Sequence, residues 1–338
     1  ALYIYMIFSH TENKFMNKID EIKQPIIADL LAYEKELALA LQTENPILNQ
    51  LSRYVLSTRG KQMRPILSLL VAQVCGGITE STIQGTIAIE LLHIASLIHD
   101  DVLDSALERR NKPSVNAVFE NKIAVLGGDY LLSKALSKAS NSRNLDIIFE
   151  ISKVGSNLVD GEILQLANSK KQFITEDIYF DIISKKTASL FSSCARIGAL
   201  SANATNHEID CLGIYGTSIG ICFQLRDDIF DYFSDDVGKP TGNDLREGKL
   251  TLPMLFALSK ATNSEKEYLF SLLRKADLTE KEVQELQQFS IQKGGVEYAT
   301  KKMYEYRDKA IRQLQHFATS ATKNALMEYA TYVIERNK

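Results

Sequence analysis

The chain is 338 residues long, enough for one large hydrophobic core or two ordinary ones. Only 17 Gly and 6 Pro interrupt long tracts rich in Ala, Leu, Ile, Lys and Glu, which argues for helices and against a sandwich or barrel of short strands. With 39 Lys and Arg against 42 Asp and Glu there is no basic field to attract nucleic acid, and 45% hydrophobic residues beside 24% charged ones exclude intrinsic disorder.

The N-terminal ALYIYMIF run is too short for a membrane span and lacks the flanks of a signal peptide. Residues 1–15 read as an extension ahead of Met16, and residues 16–338 as a single all-α domain, since no Ser/Gly/Pro linker divides them. Apolar residues at helical spacing predict helices over 17–42, 46–57, 64–76, 80–104, 116–140, 143–168, 176–203, 207–234, 250–261, 264–276, 280–293, 296–317 and 321–336. Thr79, Thr175 and Thr279 are expected N-caps, and Gly76-Gly77 and Gly294-Gly295 expected stops. Cys75, Cys194, Cys211 and Cys222 fall singly in apolar tracts with no C-x-x-C pair. They read as reduced core residues of a cytoplasmic protein, not as metal ligands. His10, His207 and His316 have no partners in the sequence that point to a function.

Helices 80–104 and 207–234 are apolar almost all round, which places them at the centre of a bundle. Both nevertheless end in carboxylates. Asp100, Asp101 and Asp104 crowd one turn, and Asp227, Asp228 and Asp231 repeat the spacing. Like charges so placed repel by roughly 0.2–0.5 kcal/mol per pair, and the negative end of the helix dipole disfavours them further. Folding rewards neither cluster, so bound cations are expected to. Hard oxygen donors with few His or Cys nearby suit Mg²⁺, which carboxylates hold together with substrate phosphates. The complementary charges are Lys61 and Arg64, at a helix start where free N–H groups favour an anion, then Arg109, Arg110 and Lys112, then Lys185 and Lys186, then Lys239 and Lys249. Two metal clusters with these cations describe a site for two polyanions. Diphosphates fit best.

In this order the residues resemble the trans (all-E) isoprenyl diphosphate synthases, from about residue 59 to the C-terminus. DDVLD at 100–104 and DDIFD at 227–231 look like that family's two aspartate-rich motifs. RGKQMRP, ERRNKPS, GGDYLL, GEILQL, KKTASLF, FQLRDD and GKPTGNDLREGKLTLP match its other blocks. Arg59 departs from the family's usual Gly, in a turn. The resemblance implies an all-α, isoprenoid synthase-type helical bundle around a central cavity, normally a homodimer, that uses three Mg²⁺ ions to join isopentenyl diphosphate to an allylic diphosphate of the farnesyl or geranylgeranyl type. Carried over by position, Asp100, Asp104 and Asp227 are the direct metal ligands, with Asp101, Asp228 and Asp231 acting through water or behind them. Arg109, Lys186, Lys239 and Lys249 hold the allylic diphosphate. Lys61, Arg64, His93 and Arg110 hold isopentenyl diphosphate. Thr187 and Gln224 lie beside the developing cation. His93 also precedes Asp100 by about two turns, hence on roughly the same face, whereas His99 faces elsewhere. The lipophilic product implies at most peripheral contact with a membrane.

A terpene cyclase would carry an Asn/Ser/Glu pattern in place of DDIFD, and a non-catalytic subunit of a heteromeric prenyltransferase would have lost one cluster. Product length should be set ahead of the first motif. Ser96 and Leu92 lie one and two turns before Asp100, with Ala95 beside them and Ile89 and Ala88 below. In the family, bulky aromatics there stop growth at about three isoprene units. Small Ala95 and Ser96 predict a longer product, hexaprenyl to decaprenyl with octaprenyl at the centre, over a farnesyl or geranylgeranyl one. Leu132 and Leu136, after Gly128-Asp129, are expected at the lower floor.

Overall fold

Wherever the apolar pattern is long, the chain is helical, and it breaks where the backbone chemistry demands. The structure is a computed structural model and describes residues 12–58, 60–109, 111–169, 174–233, 242–275 and 277–336. In chain order come α1 (Glu12–Lys23), α2 (Ile27–Ala40), α3 (Pro46–Ser57), α4 (Met63–Val74), α5 (Glu80–Leu103), a small antiparallel hairpin of β1 (Glu108–Arg109) and β2 (Lys112–Pro113), α6 (Val115–Asn141), α7 (Leu145–Ser169) and α8 (Glu176–Ile183). A π-helical turn, Ser184–Ala188, leads into α9 (Ser189–Ser201) and α10 (Asn206–Phe230). The chain finishes with α11 (Asn243–Arg246), α12 (Leu252–Ser259), α13 (Asn263–Leu273), α14 (Glu280–Gln292), α15 (Gly295–Gln313) and α16 (Ala321–Glu335).

Thr79, Thr175 and Thr279 each cap a helix through a side-chain oxygen, accepting from the N–H of Thr82, Ile178 and Glu282. The helix expected over 17–42 is split by a 3₁₀ turn at Gln24–Ile26, because Pro25 supplies no N–H to the ladder. The one expected over 176–203 is interrupted by the π turn, and the one expected over 207–234 stops at Phe230. The hairpin and α11 are too short to leave a periodic signal.

Central α5 packs on α6 and α9, and central α10 on α9 and α15. Along α5, Ile87, Ile89 and Leu91 are essentially sealed from solvent. Each such side chain contributes about 1.5–3 kcal/mol, far more than the carboxylate repulsion at the helix end removes. By length and composition α5 is also apolar enough to cross a membrane, but 67% of its apolar window is buried inside the bundle. A second, smaller core of Leu245, Met254, Leu258, Leu269, Leu272 and Leu286 supports the segment from α11 to α14, which carries Asp244 and Lys249.

Candidate active site

Two glycines seat the π turn. A Cβ on Gly161 of α7 would come within 2.9 Å of the Lys186 backbone nitrogen, and one on Gly220 of α10 within 2.5 Å of the Ala188 Cα. Bare backbone at both positions lets the turn lie close to both helices, and such π insertions are frequent at functional sites. The turn carries Lys186 and Thr187. Lys186 pairs with Glu162 of α7, with Gln165 Oε1 3.5 Å away. Thr187 Oγ1 donates to Gln224 Oε1 (2.9 Å), and Gln224 Nε2 donates to Asp228 Oδ1 (2.8 Å). Tyr179 donates its hydroxyl to the other Asp228 oxygen. Burial, and then the nearby Asp244 carboxylate, push the Asp228 carboxyl up to about 8 in spite of the Tyr179 and Gln224 bonds. A cavity of about 230 Å³ opens here, lined on its polar side by Lys186, Thr187, Gln224, Asp228, Asp244 and Lys249.

The six aspartates divide into two sets. Asp101 is sunk against Arg109, whose Nε reaches its two oxygens at 2.8 and 2.9 Å and whose Nη2 lies 2.7 Å from Oδ1. Asp231 accepts from the N–H groups of Gly242, Asn243 and Asp244, each at 3.0 Å, and so anchors the start of α11. With Asp228, these carboxylates spend both oxygens inside the chain. Asp100, Asp104 and Asp227 stand differently. Asp100 is half-buried, and loss of hydration raises its pKa; Lys186 and Arg109 act against that shift, Glu162 and Asp104 with it. Asp104 is exposed at the end of α5. Asp227 is bonded by Arg336 from the end of α16.

Three cations gather near Asp227. Gln62 takes a left-handed φ of 54° and turns the chain into α4, with Lys61 before it and Arg64 in the first turn. Loss of hydration and the neighbouring Arg336 push the Lys61 pKa down against Asp227. Arg64 is also pushed down by loss of hydration, with Glu90 the largest opposing charge. Its guanidinium lies 5.0 Å from the Phe191 ring centre, and that of Arg336 lies 4.0 Å from the Phe223 ring centre. The Nε atoms of both arginines are buried without a hydrogen-bond partner. Buried donors of this kind suit an anion, and each left unmade costs about 1–3 kcal/mol.

Lys249 bonds Glu247 at 2.6 Å. Burial works against its charge, but that bond, Asp104 and Asp244 outweigh it and hold the pKa up. His93 is buried on α5, as are Leu92, Ile89 and Ala95, while Ser96 is half-buried and donates to His93 O at 2.9 Å. His99 turns to α6, 3.2 Å from Val125 O and 3.6 Å from Asp129. Leu132 is half-buried against the core. Leu136 is 58% exposed, so it does not close a cavity within this chain. The face of α6 that is buried carries Leu131 and Ala135, one position earlier in register. Arg59, Arg110, Lys239 and residues 1–11 lie outside the described residues. Glu162, Tyr179, Asp244 and Arg336 join the site without a sequence signal strong enough to single them out. Arg336 meets Asp227 across 109 positions of chain.

The polyprenyl synthetase family model matches residues 45–289. The chain belongs to the polyprenyl synthetase family. It is a trans-prenyltransferase with the helical fold of solved prenyltransferases. Octaprenyl diphosphate synthase of Escherichia coli (strain K12) is 32% identical over 327 residues, spanning 95% of this chain and 99% of the relative. The solved geranylgeranyl pyrophosphate synthase from Bacteroides thetaiotaomicron is 39% identical, covers 95% of this chain and 100% of its own, and superposes with a TM-score of 0.83. A solved decaprenyl diphosphate synthase from Rhodobacter capsulatus is 29% identical, with coverage of 94% and 98% and a TM-score of 0.90.

Proposed function

We propose that the enzyme condenses isopentenyl diphosphate head-to-tail with an allylic diphosphate and repeats the step to make a long-chain all-trans polyprenyl diphosphate, centred on octaprenyl. The observation that carries this reading is the pairing of two acidic helix ends with two separate groups of cations. Asp100, Asp104 and Asp227 would hold Mg²⁺, three ions by family resemblance, with Asp101, Asp228 and Asp231 fixing the geometry behind them. The donor set fits: hard carboxylate oxygens, with burial and neighbouring carboxylates making Asp100 costly to charge without a cation. When bound, Mg²⁺ neutralises the diphosphate leaving group as a Lewis acid.

The residues of the chain do the rest. Lys186, Lys249, Arg109 and Lys239 would take the allylic diphosphate; Lys61, Arg64, Arg110 and His93 would take isopentenyl diphosphate. Arg336 is added to the second group by its place beside Lys61 and Asp227. Ionisation of the allylic C–O bond leaves a cation that the Thr187 and Gln224 oxygens can face, held in place by their mutual bond. The isopentenyl double bond attacks that cation, and the proton then lost goes to the departed diphosphate, since the nearby carboxylates are committed to cations or hydrogen bonds. Apolar α5 and α10 keep water from the cation.

Small Ala95 and Ser96 favour passage of a long tail. The likeness to a geranylgeranyl pyrophosphate synthase favours a second reading, a shorter product of that class. Chromatography of the product from labelled isopentenyl diphosphate, farnesyl diphosphate and Mg²⁺ decides between them. Six to ten isoprene units support the first reading; a product that stops at four or five overturns it. A homodimer is supported by the outward apolar side chains of α6 and α7, among them Leu126, Leu136, Leu145, Phe149 and Ile163. A cytoplasmic location, with peripheral membrane contact through the product alone, fits the free cysteines.

A further inference from the structure

A second cluster of ligand-type side chains lies at the opposite end of α10 from the aspartates. His207 and Cys211 stand one turn apart on its first turns, and His316 comes from the 3₁₀ turn Leu314–His316 between α15 and α16. Read singly in the sequence, the two histidines have no role and the cysteine is a core residue; the fold brings all three together. Their donor atoms lie within 4.8 Å of one another, Cys211 Sγ is 3.7 Å from His207 Nε2, and the imidazole centres are 5.2 Å apart. A tetrahedral ion with Zn–S and Zn–N bonds of ordinary length separates S from N by about 3.6 Å, so small side-chain rotations close the set. Both histidines are exposed, whereas the thiol is buried. The nearest acids are otherwise engaged: Glu208 caps the helix through Thr205, and Asp210 pairs with Arg196. No fourth His, Cys, Asp or Glu joins the group among the described residues.

We propose that His207, Cys211 and His316 bind one divalent transition-metal ion of the Zn²⁺ class, clipping the start of α10 to the turn ahead of α16. Two imidazoles and a thiolate select a borderline metal over Mg²⁺, whose preference is for oxygen. The thiol proton leaves to solvent as the ion binds. With three protein ligands, the fourth position belongs to water. Asp227 lies 16 residues beyond Cys211 and 20 beyond His207, about 24–30 Å further along the helix, so this ion is separate from those proposed at the aspartates. The same two elements, α10 and the α16 segment, would then be fastened at one end by the ion and at the other by Arg336 on Asp227.

The test is Co²⁺ titration of the chelator-treated, reduced enzyme in excess Mg²⁺, read by the thiolate-to-cobalt charge-transfer absorption, which oxygen ligands at the aspartates do not give. Expected are one equivalent of thiolate-bound Co²⁺ per chain, its displacement by Zn²⁺, loss of the band in Cys211→Ser, and at least about tenfold weaker binding in His316→Ala. His316 is exposed, so that variant does not endanger the fold. Absence of the band in the unmodified enzyme, its survival in Cys211→Ser, or unchanged affinity in His316→Ala overturns the proposal.

Discussion

The two acidic clusters share one spacing and one position, the end of an apolar central helix, yet they are supported in different ways. In the first, the buried Asp101 is neutralised by Arg109, eight residues on in the hairpin that follows the helix. The second draws on the whole chain: Asp228 on Tyr179, Asp231 on the start of α11, and Asp227 on Arg336. Asp231 even has its own carbonyl held by Gln287 Nε2 at 2.7 Å. The same five-residue pattern thus makes a largely local arm at one helix end and, at the other, a junction of α8, α11, α14 and the end of α16. One aspartate in a motif can stand open to solvent, as Asp104 does, while its neighbour Asp101 is bonded within the fold.

Substitutions can break that distinction. Asp100→Ala and Asp227→Ala should each lower turnover at least a hundredfold, a loss in keeping with removal of transition-state charge stabilisation, while circular dichroism stays unchanged. Near-normal turnover in steady-state assays would contradict the assignment to the metal. Without Mg²⁺, Asp100→Ala should be neutral or slightly stabilising in urea unfolding, because a half-buried, mutually repelling carboxylate is removed.

Asp231→Ala should behave in the opposite manner. Three N–H donors to one carboxylate are lost at a buried site, so the metal-free protein should lose about 1.5–3 kcal/mol or more of stability by the same measurement. Equal stabilities for the Asp100 and Asp231 variants would dissolve the contrast between the two sets.

A smaller effect separates the cation groups. Lys61→Ala should raise KM for isopentenyl diphosphate about tenfold with little change for the allylic partner, and Lys249→Ala should do the reverse. Equal shifts in both constants would show that the groups do not divide the substrates. Smallest in rate, but plain in product, is the change expected from Ala95→Phe or Ser96→Phe. An aromatic ring one turn below Asp100 should shorten the product to about fifteen or twenty carbons with turnover retained, as seen by thin-layer chromatography. A full-length product from the Phe variants would show that the tail does not pass α5 there.

Much of this was legible before any fold. Helical periodicity placed α5 and α10 because an all-round apolar helix has nowhere to go but the centre of a bundle. The repeated aspartates led to an expectation of cations on local charge repulsion alone, which did not foresee that Asp101, Asp228 and Asp231 find their partners inside the chain, whereas the Thr caps followed from chemistry within four residues. What tertiary structure alone decided involves partners distant in sequence or a change in backbone register. The π turn adds a residue that periodicity cannot count, and Gly161 and Gly220 make sense only once two helices close on it. Register on α6 shifts by one position, about 100° of helix, which is enough to send Leu136 outward while Ala135 faces in. Arg336 reaching Asp227, and His316 joining His207 and Cys211, are contacts across roughly a hundred residues. Sequence spacing reports what one helix face holds; which two faces meet is fixed by packing.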